Sequence, residues 1–294
     1  MASRHIPQLI TPSTRALLGE GPVWDERSQL LFWVDIDRGE LHRCRADGSR
    51  ASVVRIGERI GCVALRREQP GLVAGLERRV ASITLEPLCV STLATLDPHA
   101  AGNRCNDGKC DPAGRFWVGT SDPSGTQANA WLFRFDGKER PQHLLGPCIC
   151  SNGPAFSPDG RMLYFVDSYA RAVYACGLSP SGELSEPRVF KSFDAPGWGY
   201  PDGLTCDAQG CLWIAHWGGG RVSRFDPEGE LLDAIHMPVL QPSSCTFGGE
   251  DLHRLFITSA SVGLAPSDNA NGLAGAVFAV DLEIGGLAAA RFDG

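Results

Sequence analysis

Four short stretches of this 294-residue chain set a carboxylate or a carboxamide beside a glycine. They are Gly19-Glu20-Gly21-Pro22, Asn103-Arg104-Cys105-Asn106-Asp107-Gly108-Lys109, Ser151-Asn152-Gly153-Pro154 and Tyr200-Pro201-Asp202-Gly203. Taken singly, Asn-Gly and Asp-Gly are turn signals, and an Asx turn is the plain account of Asn152 or Asp202. Taken together they supply a set of hard oxygen donors. Such oxygens suit Ca²⁺, Mg²⁺ or Mn²⁺, and Zn²⁺ also accepts carboxylates. Arg104 adds a planar fork of donors suited to neighbouring oxygens, with a surface salt bridge as its ordinary alternative. Asp107 reads as a residue that shapes its turn or orients the Asn beside it.

Other chemistries find less support. No Gly-x-Ser-x-Gly elbow is present to supply a serine nucleophile. The glycines after His216-Trp217 lack the Gly-x-Gly-x-x-Gly spacing of a phosphate cradle. His216 itself is expected to be a packed, hydrogen-bonded histidine rather than a channel residue. The eleven cysteines are odd in number and form no Cys-x-x-Cys pair, which argues against a disulfide framework and a zinc-thiolate site. Several sit in apolar strand contexts, as in Gly61-Cys62-Val63, where free Cys behaves as a small hydrophobe.

The elements that would position these residues are strands. Runs such as Leu30–Val34, Arg115–Val118, Met162–Val166, Cys211–Ala215 and Arg254–Thr258 are β-branched and aromatic, bounded by turn residues. Helical periodicity is hard to find over any ten residues. The runs also repeat. Asp111-Pro112-Ala113-Gly114 precedes Phe116-Trp117, Ser157-Pro158-Asp159-Gly160 precedes Tyr164-Phe165, and Asp207-Ala208-Gln209-Gly210 precedes Leu212-Trp213. Equivalent positions Trp33, Val73, Trp117, Phe165, Trp213 and Phe256 are separated by 40, 44, 48, 48 and 43 residues. That is the period of four-stranded propeller blades. The expectation is an all-β, six-bladed β-propeller spanning residues 1–294 as a single domain. The segment before Leu18 should add an outer strand to the last blade. In a propeller the innermost strands line a channel, and the four motifs open four of the six units.

The chain resembles the gluconolactonase, regucalcin and senescence-marker-protein family of sugar lactonases. The resemblance rests on Leu18–Trp24, Phe32–Ile36, Asn103–Lys109, Ser151–Pro154, Tyr200–Gly203 and Cys245-Thr246-Phe247-Gly248-Gly249, in order along nearly the whole chain. It implies one divalent cation at the channel mouth, Ca²⁺ first among candidates. The implied ligands are Glu20, Asn152 and Asp202, with Asn106 nearby. It further implies that Arg104 and Asn106 face the sugar, and that Asp202 is the general base. Trp198 and Tyr200, just ahead of Asp202, could wall one face of the ring. The resemblance also implies a longer loop with acidic residues after Gly119-Thr120, which many relatives carry over the pocket. Here Asp122 is the only carboxylate in Ser121–Gln127, so a substrate contact from that loop stays open.

The expected reaction is hydrolysis of an aldonolactone to its aldonic acid. A calcium-binding regulatory or structural propeller without turnover is one alternative. A propeller hydrolase of organophosphates or aryl esters is another, though its kind usually carries a His near the metal. Net charge is −7, from 27 basic and 34 acidic residues, which disfavours nucleic acid and anionic membranes as partners. The apolar runs are too short to span a bilayer, and Met1–Leu18 lacks the apolar stretch of a leader. The cytoplasm is the expected location.

Overall fold

The structure is a computed structural model and describes residues 5–96 and 102–294. Six four-stranded antiparallel sheets account for its strands. The first five blades are each built in chain order from the innermost strand outward. The innermost strands are Gly19–Asp25, Ile60–Leu65, Arg104–Cys110, Ser151–Phe156, Tyr200–Cys206 and Pro242–Gly248. Each packs against the innermost strands of its neighbours, and Pro242–Gly248 returns to Gly19–Asp25 to close the ring. The outermost strand of the sixth blade is Gln8–Leu9, paired antiparallel with Phe278–Asp281. The expected closure of the last blade by the N-terminal segment is therefore present. Among the described residues no helix is long and apolar enough to cross a membrane.

The Asp-x-x-Gly-x-x-Trp repeat has a specific structural cause. Asp111 accepts the Arg115 backbone N–H at 3.0 Å with one carboxylate oxygen and the Trp117 indole N–H at 2.8 Å with the other. Asp207 repeats the arrangement with Cys211 N at 3.0 Å and Trp213 Nε1 at 3.0 Å. One buried carboxylate thus closes the turn and fixes the tryptophan that fills the interface between blades. All eleven cysteines are free, and nine are buried.

Every innermost strand carries a β-bulge near its start. In the first blade Glu20 pairs with Val34 and Val23 with Phe32, so Gly21-Pro22 together face one residue. The same two-against-one step falls at Asn106-Asp107, Gly153-Pro154 and Asp202-Gly203. Bulges re-aim side chains, and here they do so at the channel wall. Crowding explains two of the glycines. A Cβ at Gly203 would stand 2.8 Å from Ser244 Cα of the next blade, and one at Gly61 would stand 2.4 Å from the Cys105 carbonyl oxygen. At these two positions the blades meet too closely for a side chain.

Candidate active site

Glu20, Arg104, Asn106, Asn152 and Asp202 come from four blades and line one cavity of about 430 Å³. All five are buried residues opening onto that space. The register sharpens the reading of their placement. Glu20 and Asn152 immediately precede their bulges, whereas Asn106 and Asp202 are the first residues within theirs. The motifs are therefore offset by one residue between the two pairs, and the bulge brings both kinds to the same opening.

The two carboxylates are electrostatically exposed to each other rather than neutralised. Among the described residues, no Lys, Arg or His nitrogen lies within 4.0 Å of Glu20 or Asp202. Among the described residues, Glu20 Oε2 accepts only the Gly21 backbone N–H, at 3.1 Å. Burial, and then the charge of Asp107, push the Glu20 carboxyl up to about 8. Burial and then Glu20 raise Asp202 well above the ordinary carboxylate range. Arg104 and Lys109 only partly offset this at longer range. Two buried acids facing one cavity without a counter-ion call for a proton or a cation.

The carboxamides form a chain. Arg104 Nη1 donates to Asn106 Oδ1 at 2.6 Å. Asn106 Nδ2 donates to Asn152 Oδ1 at 2.8 Å and to the Ser151 carbonyl at 3.0 Å. Asn152 Nδ2 donates to Ser168 Oγ at 2.9 Å. The salt-bridge reading of Arg104 finds no support, since no described carboxylate lies within 4.0 Å of it. Its Nε and Nη2 make no hydrogen bond within the described protein. Asp107 is turned away from this cavity and accepts the backbone N–H groups of Gly108 and Gly153, at 2.7 and 3.1 Å. It ties the third blade to the bulge of the fourth, as a turn-shaping residue would.

Several neighbours escaped sequence reasoning. Ser168, Tyr169 and Cys150 line the cavity beside Asn152, and Trp217 faces it from the fifth blade. Nothing in their local sequence marks them: Ser168 and Tyr169 sit in a hairpin loop, Trp217 ends a strand, and Cys150 lies in the connection between the third and fourth blades, and these reach the mouth only once the ring closes. Tyr200 lines the cavity as expected and pairs with Tyr169 at 6.0 Å between ring centroids. Trp198 does not line it; its ring packs on Phe193, His216 and Phe225. His216 is fully buried in that aromatic cluster. It is packed as expected, but neither ring nitrogen has a hydrogen-bond partner, so that half of the expectation fails. Asp122 borders the cavity with its carboxylate already spent. It accepts Ser124 Oγ, Ser124 N, Thr126 N and Gln127 N, which hold it well below its usual range.

Residues 18–261 match the description of the SMP-30/Gluconolactonase/LRE-like region. The chain belongs to this family. It is 38% identical to the L-arabinolactonase of Azospirillum brasilense over 285 residues, covering 96% of this chain and 94% of that protein. It is 36% identical to the 6-deoxy-6-sulfogluconolactonase of Pseudomonas putida, covering 95% and 96% of the two. Among solved structures, a regucalcin from Agrobacterium tumefaciens, described as a calcium-binding protein, superimposes with a TM-score of 0.92. Identity there is 27%, with 98% of this chain and 97% of that one covered. The superposition on that regucalcin takes in 98% of this chain and so spans the ring described above, and the cavity at the channel mouth draws on four of the blades.

Proposed function

We propose that this chain is a divalent-cation-dependent lactonase that opens sugar (aldono-) lactones to the corresponding acids. The observation that carries the reading is the pair of buried carboxylates, Glu20 and Asp202, with no cationic partner among the described residues, sharing a cavity with the Asn152 carboxamide and a half-free Arg104. The donor set fits a hard cation, with Glu20, Asn152 and Asp202 as ligands. Ca²⁺ is favoured among Ca²⁺, Mg²⁺, Mn²⁺ and Zn²⁺, in keeping with the description of the related regucalcin. When bound, such a cation polarises a lactone carbonyl and eases deprotonation of water.

The chain's own residues supply the rest. Asp202 takes the proton of the attacking water as the water oxygen bonds to the carbonyl carbon; collapse of the tetrahedral adduct then breaks the ring C–O bond, and the departing alkoxide takes that proton back from Asp202. Arg104 presents its unused Nε and Nη2 to substrate oxygens. Asn106 Oδ1 already accepts from Arg104 and keeps a second lone pair for a sugar hydroxyl. Tyr169 and Tyr200 offer apolar faces to the ring's C–H groups. A purely structural calcium site would have no use for a guanidinium with open donors, which favours turnover over binding alone.

A pH-stat assay over five- and six-membered aldonolactones tests the reading, using chelator-stripped protein with cations added back. Acid release should disappear on stripping and return with one of the four cations. Undiminished turnover without metal would refute the mechanism. Tight Ca²⁺ binding with no turnover on any lactone would favour the regulatory reading.

A further inference from the structure

A carboxamide has two ends, and only its oxygen can ligate a cation. If Asn152 is a ligand, something must decide which end faces the opening, because a half-turn about its last bond exchanges Oδ1 and Nδ2. Ser168 cannot decide it. Its hydroxyl accepts from Asn152 Nδ2 at 2.9 Å, yet by rotating it could equally donate to an oxygen.

The decision comes from the other side. Arg104 is donor-only, so Asn106 must show it an oxygen, and the Arg104 Nη1–Asn106 Oδ1 contact is 2.6 Å. The Ser151 carbonyl is acceptor-only, so it independently demands Asn106 Nδ2, at 3.0 Å. Two partners of opposite polarity thus fix Asn106 in one orientation. Its second amide proton then points at Asn152 from 2.8 Å, and only an oxygen can receive it. A turned Asn152 would set donor against donor in a buried site. We propose that Asn106 is a positioning residue, itself set by Arg104 and Ser151, that selects the cation-ligating orientation of the Asn152 carboxamide.

The proposal rests on the cation site argued above, and its test separates the two. An Asn152→Asp ligand has oxygens at both ends and needs no selection. Ca²⁺ and Mn²⁺ affinities are measured by calorimetry on stripped protein for wild type, Asn106→Leu, Asn152→Asp and the double variant. Melting curves verify the fold, and Asn106→Ala replaces the Leu variant if that does not fold. Asn106→Leu should weaken binding at least about tenfold in the Asn152 background, the usual scale for partners of a ligand. In the Asn152→Asp background the loss should shrink to about twofold or less. Equal losses in both backgrounds would make Asn106 a ligand in its own right and overturn the proposal. No loss in either would overturn it too. Absence of cation binding by the wild type would instead defeat the functional reading, and the proposal with it.

Discussion

At the scale of single residues, Asp202 has two duties in the proposed site, offering an oxygen to the cation and accepting a proton. The two can be separated. Asp202→Asn keeps an oxygen but loses the base, and the Gly203 crowding against Ser244 that shapes the bulge is untouched. General-base removal typically costs about 10²–10⁴ in rate. We therefore expect kcat to fall at least about a hundredfold with the melting temperature retained, read from lactone kinetics and thermal unfolding. Near-wild-type kcat would mean that another group takes the proton. Asp122 is unsuited to that task, since four hydrogen bonds within its own loop stabilise its ionised form and leave little basicity.

At the scale of elements, the second strand of the fifth blade, Leu212–Trp217, carries a liability next to the site. His216 pairs in register with Pro201, the residue before Asp202, and its ring is enclosed by Phe193 and Trp198. Burial and then the charge of Arg221 lower its pKa from 6.5 to about 3. The unfolded chain therefore binds a proton between those values that the folded chain does not. Folding stability must fall as pH drops below 6.5, by up to about 1.4 kcal/mol per unit, and this contribution to the slope ends near pH 3. His216→Phe preserves the aromatic contacts and removes an unpartnered donor, so it should raise stability at pH 5 more than at pH 8. Urea unfolding at the two pH values checks this. A variant less stable than wild type at both would show that the imidazole has a partner in solution, such as an enclosed water.

At the scale of the whole molecule, the ring is closed twice. Gln8–Leu9 completes the sixth blade, and the C-terminal segment runs across the channel end away from the candidate site. That segment bonds to Leu252, Ala208 and Leu65 on its way under the ring. Phe292 anchors it, fully buried and stacked on Phe135 at 5.6 Å, with Phe116 edge-on at 6.4 Å. Leu287 to Ala290 cover a second cavity of about 380 Å³ that also meets Asp107 and Lys109. Removing a buried Phe side chain costs about 3–5 kcal/mol. Phe292→Ala should lower stability by that amount while leaving kcat/KM unchanged at temperatures where the protein is folded. A selective loss of kcat/KM in the folded variant would show that the two channel ends are coupled.

Period and chemistry were legible in the residues themselves. The repeat of turn, aromatic strand and second strand is written locally, because five of the six blades bury a Trp or Phe at the equivalent position and, in two of them, Asp111 or Asp207 holds it. The hard-oxygen character of the site was legible in residue types alone: Glu20, Asn152 and Asp202 each stand beside a glycine, required by a positive φ at Gly21 and Gly153 and by the neighbouring blade at Gly203. Tertiary structure alone decided the rest. The one-residue offset between Glu20/Asn152 and Asn106/Asp202 depends on where each bulge falls in the pairing register, a property of two strands rather than one. Ser168, Cys150 and Tyr169 became cavity residues only when the fourth blade closed against its neighbours. The lack of a cationic group within 4.0 Å of the two carboxylates among the described residues, and the polarity chain from Arg104 to Asn152, join residues up to 182 positions apart, from Glu20 to Asp202. No window of sequence contains such a relation, since it exists only where six blades meet around one axis.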